Sequence, residues 1–569
     1  MPTRESPSGT PTGLGGLLRQ AAQKFPASEF VFPAERCTFA EMDRRADAFA
    51  AALTAAGVAH GEHVGIWMPP RLDTIAAFFG AFRAGAVAVP VSDRFQPEEV
   101  GYAIEHADLT ALVISGDQTP FDRVGALRLA LPSLADARGP ALSLAEAPRL
   151  RRLVVVGGDP VQPGFVPAAE LGLPPQGTYP EITLPAPAVD HAGERDLAYL
   201  MYTSGTSAAP KACMITHAGC LLQADSLAFH RYLLDVDSAF WCPLPLYHTA
   251  GLATMTACIA SGANFVHAGA FDPGQSLRTM QEEQVTHAIP AFETIWMRVL
   301  DHPDFASTDL KRLRVALMTG GEDLLRKLQA RLPHVAQITN FGMTESTGHL
   351  SMNRIDDPLE VRVTTGGFPL PGMQVRIVDP ETQRVLGADQ RGEIQFRGAS
   401  RCLGYYRDPD TTEKTTAPGG WFRSGDLGVM DAEGRLTFRG RLKDMLKVGG
   451  ENVAALEVES YLVRHPAVSI AAVVGVPDAY YGEVPVAFIE LAPAKNATEQ
   501  DIIEFCLDTI ATFKVPRYVR FIDTWPMSGT KIKKFVLREQ IMNELTAAGI
   551  TEAPRIRSTR ARQADAQQL

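Results

Sequence analysis

The chain contains 569 residues, with 54 Lys and Arg against 65 Asp and Glu, which gives a formal net charge of −11. This acidic balance argues against general binding to nucleic acid or to membrane surfaces, although a small anionic ligand responds only to local charge. The length is too great for one hydrophobic core and predicts more than one domain.

The cysteines and the N-terminal segment indicate the cellular compartment in which the protein is expected. The seven cysteines show no metal-ligand spacing, and we interpret them as reduced thiols of a cytoplasmic protein. Residues 1–12 lack the apolar segment of a signal peptide. No run approaches the ~18 apolar residues of a membrane helix, so we expect no integral membrane segment.

Strand and helix patterns alternate in the first part of the chain. Buried strands are predicted at residues 64–68, 86–91, 111–114 and 153–156. Between the first two, apolar side chains recur as on one face of a helix, at Leu72, Ile75, Phe79 and Phe82. Strands that alternate with helices indicate parallel sheets and an α/β architecture.

A short polar loop, residues 202–211, follows a further predicted strand at residues 197–201. It combines hydroxyl side chains with one glycine, one proline and Lys211. Backbone N–H groups and hydroxyls in such a turn suit a polyphosphate, and the lysine adds positive charge. The loop lacks the Walker A pattern, and by itself it is also compatible with a polar surface turn.

The same pattern continues after the loop and then changes twice. Strands are predicted at residues 314–318 and 335–339, each followed by a polar, glycine-containing turn. Residues 366–438 have shorter, β-rich elements and predict a small β subdomain. Beyond residue 440 a compact α+β domain is predicted, with helices at 454–464 and 499–510 and strands at 470–474 and 486–491. The tail from residue 551 is polar and is predicted to be disordered.

Five separated stretches occur in the order found in the adenylate-forming superfamily of acyl-CoA synthetases, luciferases and peptide-synthetase adenylation domains. They are residues 203–211, 340–345, 424–426, 440–452 and 526–534. The chain resembles this superfamily from about residue 57 to residue 538. The resemblance implies a large N-terminal domain of parallel-rich sheets plus a β subdomain (1–440), a small mobile α+β C-terminal domain (441–550) with a hinge at Lys443-Asp444, and a disordered tail (551–569).

The resemblance also implies the chemistry. A carboxylate attacks the α-phosphate of ATP and expels pyrophosphate, and the thiol of coenzyme A then displaces AMP. Because both reactants of the first step are anionic, catalysis consists mainly of positioning and charge neutralisation. The expected ligands are ATP, Mg²⁺, coenzyme A and a small-molecule carboxylic acid, and a homodimer is compatible with this assignment.

The resemblance assigns most of the motif residues to the nucleotide and the metal. The phosphates would be held by Thr203, Ser204, Gly205, Thr206, Ser207 and Lys211. The adenine and ribose would be held by Gly320, Gly321, Glu322, Asn340, Phe341, Gly342, Asp426 and Arg441, and Mg²⁺ by Thr206 and Glu345. Outside the motif, Asp426 would fit a turn cap and Arg441 a solvated face.

Four residues are assigned to catalysis by the resemblance: Lys531, Thr344, Glu345 and His248. Lys531 would bridge the carboxylate and the α-phosphate, with Lys533 as the alternative, and Thr344 would face the α-phosphate. His248 would contact the carboxylate or control access to the acyl pocket, or else it is a structural histidine. Lys447, Gly449 and Gly450 would reach the site in the second step and leave room for pantetheine. Phe292, Met343 and Leu350 suggest an apolar pocket wall.

We therefore predict an AMP-forming acyl-CoA ligase for an apolar acid: a medium- or long-chain fatty acid, or an aryl or alicyclic acid. The chain departs from the superfamily pattern at Ala208, Ala212 and Thr530. Two alternatives stay open: an adenylating enzyme that loads a carrier protein, and a catalytically silent nucleotide-binding homologue.

Overall fold

The computed structural model describes residues 11, 13–117, 121–158, 163–173, 196–203, 210–507, 509–528 and 531–556. In this part of the chain the helices are α1 (Leu14–Lys24), α2 (Phe39–Ala55), α3 (Leu72–Arg83), α4 (Pro97–His106), α5 (Arg123–Ala130), α6 (His217–His230), α7 (Thr249–Ser261), α8 (Pro273–Glu282), α9 (Glu293–Leu300), α10 (Glu322–Arg331), α11 (Leu359–Thr364), α12 (Pro409–Lys414), α13 (Ala455–Leu462), α14 (Glu499–Cys506) and α15 (Lys534–Ala547).

The strands of the same residues are β1 (Glu29–Phe32), β2 (Glu35–Thr38), β3 (His63–Trp67), β4 (Val87–Pro90), β5 (Leu109–Ser115), β6 (Arg152–Val156), β7 (Phe165–Pro167), β8 (Leu197–Tyr202), β9 (Ala212–Thr216), β10 (Ala239–Cys242), β11 (Asn264–His267), β12 (His287–Ala291), β13 (Val315–Met318), β14 (Ala336–Ile338), β15 (Asn340–Phe341), β16 (Ser351–Met352), β17 (Phe368–Pro369), β18 (Met373–Val378), β19 (Gly392–Gly398), β20 (Thr416–Ala417), β21 (Trp421–Met430), β22 (Leu436–Arg441), β23 (Met445–Val448), β24 (Glu451–Ala454), β25 (Val468–Asp478), β26 (Gly482–Leu491), β27 (Tyr518–Phe521), β28 (Met527–Ser528) and β29 (Lys531–Ile532).

Two seven-stranded sheets form the large first part of the described chain. Their strand orders are β7-β6-β5-β3-β4-β8-β9 and β14-β13-β12-β10-β11-β1-β2. Neighbouring strands are parallel, except that β8 pairs antiparallel with β9 and β1 with β2. The predicted α/β class with parallel-rich sheets is therefore confirmed.

Side-chain alternation along the strands builds two cores around the first sheet. On β5, Ala111 and Val113 join the core shared with the second sheet, whereas Leu112 and Ile114 join a second core on the opposite face. Successive residues of a strand point to opposite faces, so a strand that is apolar throughout must be covered on both. This explains why the buried strands appear in the sequence as continuous apolar runs.

The region predicted to be β-rich, residues 366–438, contains a five-stranded antiparallel sheet in the order β18-β19-β21-β20, with β22 paired to β21. From β23 onward another five-stranded sheet forms, in the order β24-β23-β26-β25 with β27 on β26. Its two faces carry separate cores drawn from residues 446–556. The two-part architecture is confirmed, while the bounds 1–440 and 441–550 stay a prediction.

Two terminal predictions differ from the structure in detail. The helix predicted at 499–510 ends earlier, at Cys506, because Leu507 adopts an extended conformation (φ −65°, ψ 143°). The first residues of the tail pack on the C-terminal sheet: the backbone N–H of Ala553 donates to Asp478 Oδ2, and Ala553 is buried. Residues 557–569 lie outside the described residues.

A buried charge cluster ties together the first three helices. Arg83 of α3 is fully buried, forms an ion pair with Asp43, and donates to Asp47 Oδ1 at 2.8 Å. Arg19 of α1 also donates to Asp47, at 2.6 Å. Buried charges are tolerated when they are paired and hydrogen-bonded in this way.

All seven cysteines are free and buried, in agreement with the interpretation of reduced thiols. None of the described helices has the length and apolar content that crossing a membrane requires.

Candidate active site

The predicted phosphate loop, residues 203–211, connects β8 to β9. The backbone N–H of Thr203 donates to the carbonyl oxygen of Lys211 at 2.8 Å, which brings the two ends of the loop together. Ser204, Gly205, Thr206 and Ser207 lie outside the described residues. Thr203 and Lys211 are therefore the predicted phosphate ligands whose position is described.

The turn that carries Thr344 and Glu345 is held from two sides. The side chain of Gln223 on α6 donates to the carbonyl oxygens of Ser346 (3.2 Å) and His349 (2.6 Å). Asn340 donates to His349 Nδ1 at 2.7 Å, and burial lowers the pKa of His349 to about 4, so that its ring is a neutral acceptor. A Cβ at Gly342 would lie 2.0 Å from the carbonyl oxygen of Gly348, so only glycine fits there.

A tyrosine that was not predicted links this turn to the phosphate loop. Tyr405 Oη donates to Glu345 Oε1 at 2.8 Å, and both side chains are buried. Lys211 Nζ lies over the Tyr405 ring, 5.3 Å from its centroid. Burial and the Glu345 charge raise the pKa of Tyr405, so its hydroxyl stays a donor. No local pattern identified Tyr405, since its partner is 60 residues away in sequence.

The predicted ribose ligands are paired with each other. Asp426 on β21 is buried, and its Oδ1 lies 3.4 Å from Arg441 Nε on the neighbouring strand β22. Partial burial and then the Arg441 charge lower the pKa of Lys443, and the charges of Asp426 and Lys211 also act on this ammonium. The predicted hinge residue Lys443 is thus within electrostatic range of Lys211 and of Asp426.

The C-terminal part of the chain, from β23 (Met445–Val448) onward, contacts the turn between β13 and α10. Arg464 forms an ion pair with Asp323 at 2.7 Å, and Lys327 Nζ donates to the carbonyl oxygen of Val463 at 3.0 Å. A Cβ at Gly321 would lie 2.9 Å from Ser460 Oγ of α13. Gly321, a predicted purine-pocket residue, therefore lies directly beneath the C-terminal part.

Two predicted adenine residues are already engaged within the protein. Phe341 is 7% exposed, and its ring stacks on Phe438 with centroids 5.5 Å apart, so one face is covered. Glu322 accepts from Arg326 at 2.8 Å on the exposed side of α10. Gly320 lies in the turn just before α10, and Thr319 Oγ1 donates to Asn340 Oδ1 at 3.1 Å, so this turn adjoins β15.

His248 immediately precedes α7, and its ring lies 4.9 Å from that of Tyr247. A narrow crevice with room for about one water molecule lies against α7; its lining residues include Thr249, Leu252, Tyr199 and Gln223. Tyr199 Oη and Gln223 Oε1 are buried and have no hydrogen-bond partner in the described part of the chain. Leu350, predicted as a pocket wall, is fully buried in the core instead, and Phe292 and Met343 pack against that core.

The remaining predicted residues belong to two hairpins of the C-terminal part. Lys447, Gly449 and Gly450 lie on and after β23, and the N–H of Gly449 donates to the carbonyl oxygen of Tyr481 at 2.7 Å. Both glycines have positive φ, 59° and 90°, as the tight turn into β24 requires. Lys531 lies on β29, paired with β28. Their roles stay predictions.

Glu345 has few other acidic or metal-binding side chains near it that could share a bound Mg²⁺ among the described residues. The described residues contain no group of three or more His, Cys, Asp or Glu side chains that could hold a metal ion by themselves. Magnesium is commonly held by one or two carboxylates together with substrate phosphates. Glu345 beside a phosphate loop fits that mode of binding.

Glu293 on α9 is a titratable carboxyl that lies near charged groups of both parts of the chain, Lys327 and Glu490. Burial raises the pKa of Glu293 on α9 to about 7 from 4.5, against the opposing charge of Lys327 and with the like charge of Glu490 on β26. Because the pKa is raised, Glu293 binds its proton more tightly in the folded than in the unfolded state. The stabilisation by the protonated carboxyl is complete below about pH 4.5 and is lost as the pH rises through 7.

We expect Glu293→Gln to raise the free energy of unfolding by about 1–2 kcal/mol at pH 8.5, and by much less at pH 5. Urea titrations at the two pH values measure this difference. Glu413→Gln, at an exposed position of α12, is the control and should change stability little at either pH. An equal effect of Glu293→Gln at both pH values would contradict the assignment.

A lysine and a buried glutamate at the ends of a bridging tyrosine, with a buried aspartate beside the predicted hinge, agree with the predicted class of nucleotide-dependent, adenylate-forming enzymes. The profile of the AMP-binding enzyme family matches residues 18–406, and that of the AMP-binding enzyme C-terminal domain matches residues 457–531. The chain belongs to the AMP-binding enzyme family. The predicted AMP-forming acid–thiol ligase is confirmed, and so is binding of ATP or AMP.

Similar proteins agree with this assignment. The chain is 35% identical over 538 residues to 3-[(3aS,4S,7aS)-7a-methyl-1,5-dioxo-octahydro-1H-inden-4-yl]propanoyl:CoA ligase of Rhodococcus jostii, covering 93% of this chain and 99% of that protein. The structure of this chain is similar to that of the anthranilate CoA ligase AuaEII in complex with anthranoyl-AMP, with a TM-score of 0.80 and 25% identity, covering 95% of this chain and 99% of that chain. It is also similar to ATP-bound MatB from Rhodopseudomonas palustris (TM-score 0.80, 26% identity, 93% and 99% covered).

Proposed function

We propose that this ligase activates a mostly apolar carboxylic acid with Mg²⁺ and ATP, and transfers the acyl group to coenzyme A. The observation that carries the proposal is the connection between the predicted ligands. The Tyr405 ring contacts Lys211, and its hydroxyl donates to Glu345. The charges of Lys211 and Asp426 both influence the pKa of Lys443. From these contacts we infer that one nucleotide contacts Lys211, Glu345 and Asp426 together.

In the first step, the carboxylate of the acid attacks the α-phosphorus of ATP, and pyrophosphate leaves. Lys211 and the N–H groups of its loop neutralise the departing phosphates, while Thr344 donates to an α-phosphate oxygen. Glu345, with Thr206, would hold Mg²⁺, which supplies positive charge to the phosphates. Asp426 accepts from the ribose hydroxyls, and Lys531 brings the two anionic reactants together.

In the second step, the thiol of coenzyme A attacks the acyl carbonyl, AMP leaves, and the thiol proton is released. The unit of residues 441–550 rotates about Lys443-Asp444, which withdraws Lys531 and brings Lys447, Gly449 and Gly450 toward the site. Glycines at these positions leave space for the pantetheine arm. We further propose a cytoplasmic location, in keeping with the reduced cysteines, and a homodimer stays a prediction.

The identity of the acid is proposed from the chemistry beside α7. The residues that line the crevice are mainly apolar, and they include Tyr199 and Gln223, whose buried Oη and Oε1 have no hydrogen-bond partner among the described residues. The Rhodococcus relative is named for a dioxo alicyclic propanoate. We therefore rank alicyclic acids that carry oxo groups first, followed by aryl acids and medium- to long-chain fatty acids. His248 would lie at the carboxylate end of this pocket.

The test is incubation with ATP, Mg²⁺, coenzyme A and a panel of acids, with AMP and acyl-CoA measured by mass spectrometry. We expect acid-dependent AMP in equal amount to the thioester. Acyl-AMP without thioester would instead support transfer to a carrier protein, which can be tested with a phosphopantetheinylated carrier. ATP binding without pyrophosphate exchange on any acid would favour the catalytically silent alternative.

A further inference from the structure

The 402–406 segment lies between the two halves of the candidate nucleotide site. The N–H of Cys402 donates to the carbonyl oxygen of Glu345 at 2.8 Å, and the N–H of Tyr406 donates to that of Ala212, also at 2.8 Å. Leu403 and Gly404 form hydrogen bonds with both backbone groups of Met214 on β9. The segment is thus bonded at one end to the glutamate turn and at the other to the strand that follows the phosphate loop.

Tyr405 uses this placement to contact both predicted ligands with its side chain. Its Oη donates to Glu345 Oε1 at 2.8 Å, and its ring lies below the Lys211 ammonium at 5.3 Å. The Tyr405 N–H donates to Thr412 Oγ1 at 2.9 Å, and its side chain is 6% exposed, so the ring is held rigidly. A hydrogen bond to one carboxylate oxygen fixes the rotation of the carboxylate and directs the other oxygen, Oε2.

We propose that Tyr405 is a positioning residue for Mg²⁺-ATP: its hydroxyl orients the Glu345 carboxylate toward the metal, while its ring packs against the Lys211 ammonium. This inference rests on the proposed function, since it takes Glu345 as the metal ligand. Tyr405 itself touches neither substrate nor metal. A fixed carboxylate loses less freedom when it binds a cation, which is the physical gain from such a partner.

The test is direct binding of ATP by isothermal titration calorimetry, once with excess Mg²⁺ and once with EDTA. Tyr405→Phe removes the hydroxyl and keeps the ring over Lys211. We expect it to weaken Mg²⁺-ATP binding roughly tenfold and to leave binding in EDTA unchanged. In the Glu345→Gln background, Tyr405→Phe should cause no further loss, because the two residues act as one unit.

The neighbouring tyrosine offers a matched control. Tyr406 Oη donates to Asp108 Oδ2 at 2.8 Å, away from Glu345, so Tyr406→Phe removes a similar hydrogen bond in the same segment. It should bind Mg²⁺-ATP like the unmodified protein. Melting temperatures of both variants separate a folding defect from a binding defect.

The outcomes separate the two proposals. If Tyr405→Phe binds Mg²⁺-ATP normally while Glu345→Gln does not, the role of Tyr405 is refuted and that of Glu345 stands. Equal loss in Mg²⁺ and in EDTA would also refute it, because the hydroxyl would then act on general packing. If Glu345→Gln has no metal-dependent effect at all, the proposed metal ligand is wrong.

Discussion

Lys531→Ala is expected to reduce adenylation, measured as acid-dependent exchange of pyrophosphate into ATP, by about 10²–10³-fold. The ammonium is proposed to neutralise charge only where the carboxylate meets the α-phosphate. Thioester formation from supplied acyl-AMP needs no such neutralisation and should keep most of its rate. The position of Lys531 on the short hairpin of β28 and β29 suits a group that approaches and then withdraws with the C-terminal part.

The control for this prediction is Lys533→Ala, which removes a neighbouring charge of the same basic cluster. If Lys533→Ala lost adenylation and Lys531→Ala kept it, the catalytic role would belong to Lys533. Lys533 is the alternative because the chain departs from the superfamily pattern at Thr530, next to Lys531. If Lys531→Ala slowed both half-reactions equally, the lysine would serve the general stability of the domain and the proposed role would be wrong.

Glu345→Gln is expected to lower kcat/KM for ATP by about 100-fold at 1 mM Mg²⁺, with partial recovery at high Mg²⁺. The change keeps the size of the side chain and an oxygen that accepts from Tyr405, so folding should be preserved. It removes the negative charge that attracts the cation. Initial rates over a range of Mg²⁺ concentrations measure the effect as a shift in the concentration for half-maximal activity.

Glu360→Gln is the matched control, because Glu360 is an exposed carboxylate paired with Arg326 on the outside of α10 and α11. It should leave both the rate and the Mg²⁺ dependence unchanged. A normal Mg²⁺ profile for Glu345→Gln would show that the metal is held by other groups, and would also remove the basis for the inference about Tyr405.

Much of the framework could be predicted because its signals are local. Buried parallel strands need apolar side chains on both faces, so β3, β5, β6 and β13 appear as short continuous apolar runs with correct positions to within two residues. The motif stretches at residues 203–211 and 340–345 are recognisable in the sequence for the same reason. Each contains its hydroxyl, glycine or acidic residues within ten positions of one another.

The detailed surroundings of these turns could not be predicted. Phe341 stacks one face on Phe438, which is 97 positions away in sequence, and its predicted contact with adenine stays a prediction. Glu322 pairs with Arg326 one turn along α10, and its predicted place in the purine pocket also stays a prediction. Contacts between residues this far apart leave no local pattern in the sequence, as Phe341 and Phe438 show.

The sequence by itself determined the class of the protein, the order of its elements and which charged side chains are candidates to bind a nucleotide. Tertiary structure alone decided which of those side chains are in contact: Glu345 with Tyr405, Tyr405 with Lys211, and Asp426 with Arg441 beside the predicted hinge. The physical reason is range. Apolar periodicity and turn chemistry act between residues a few positions apart, whereas hydrogen bonds, ring contacts and ion pairs at a site depend on how distant segments are brought together by the packing of the sheets.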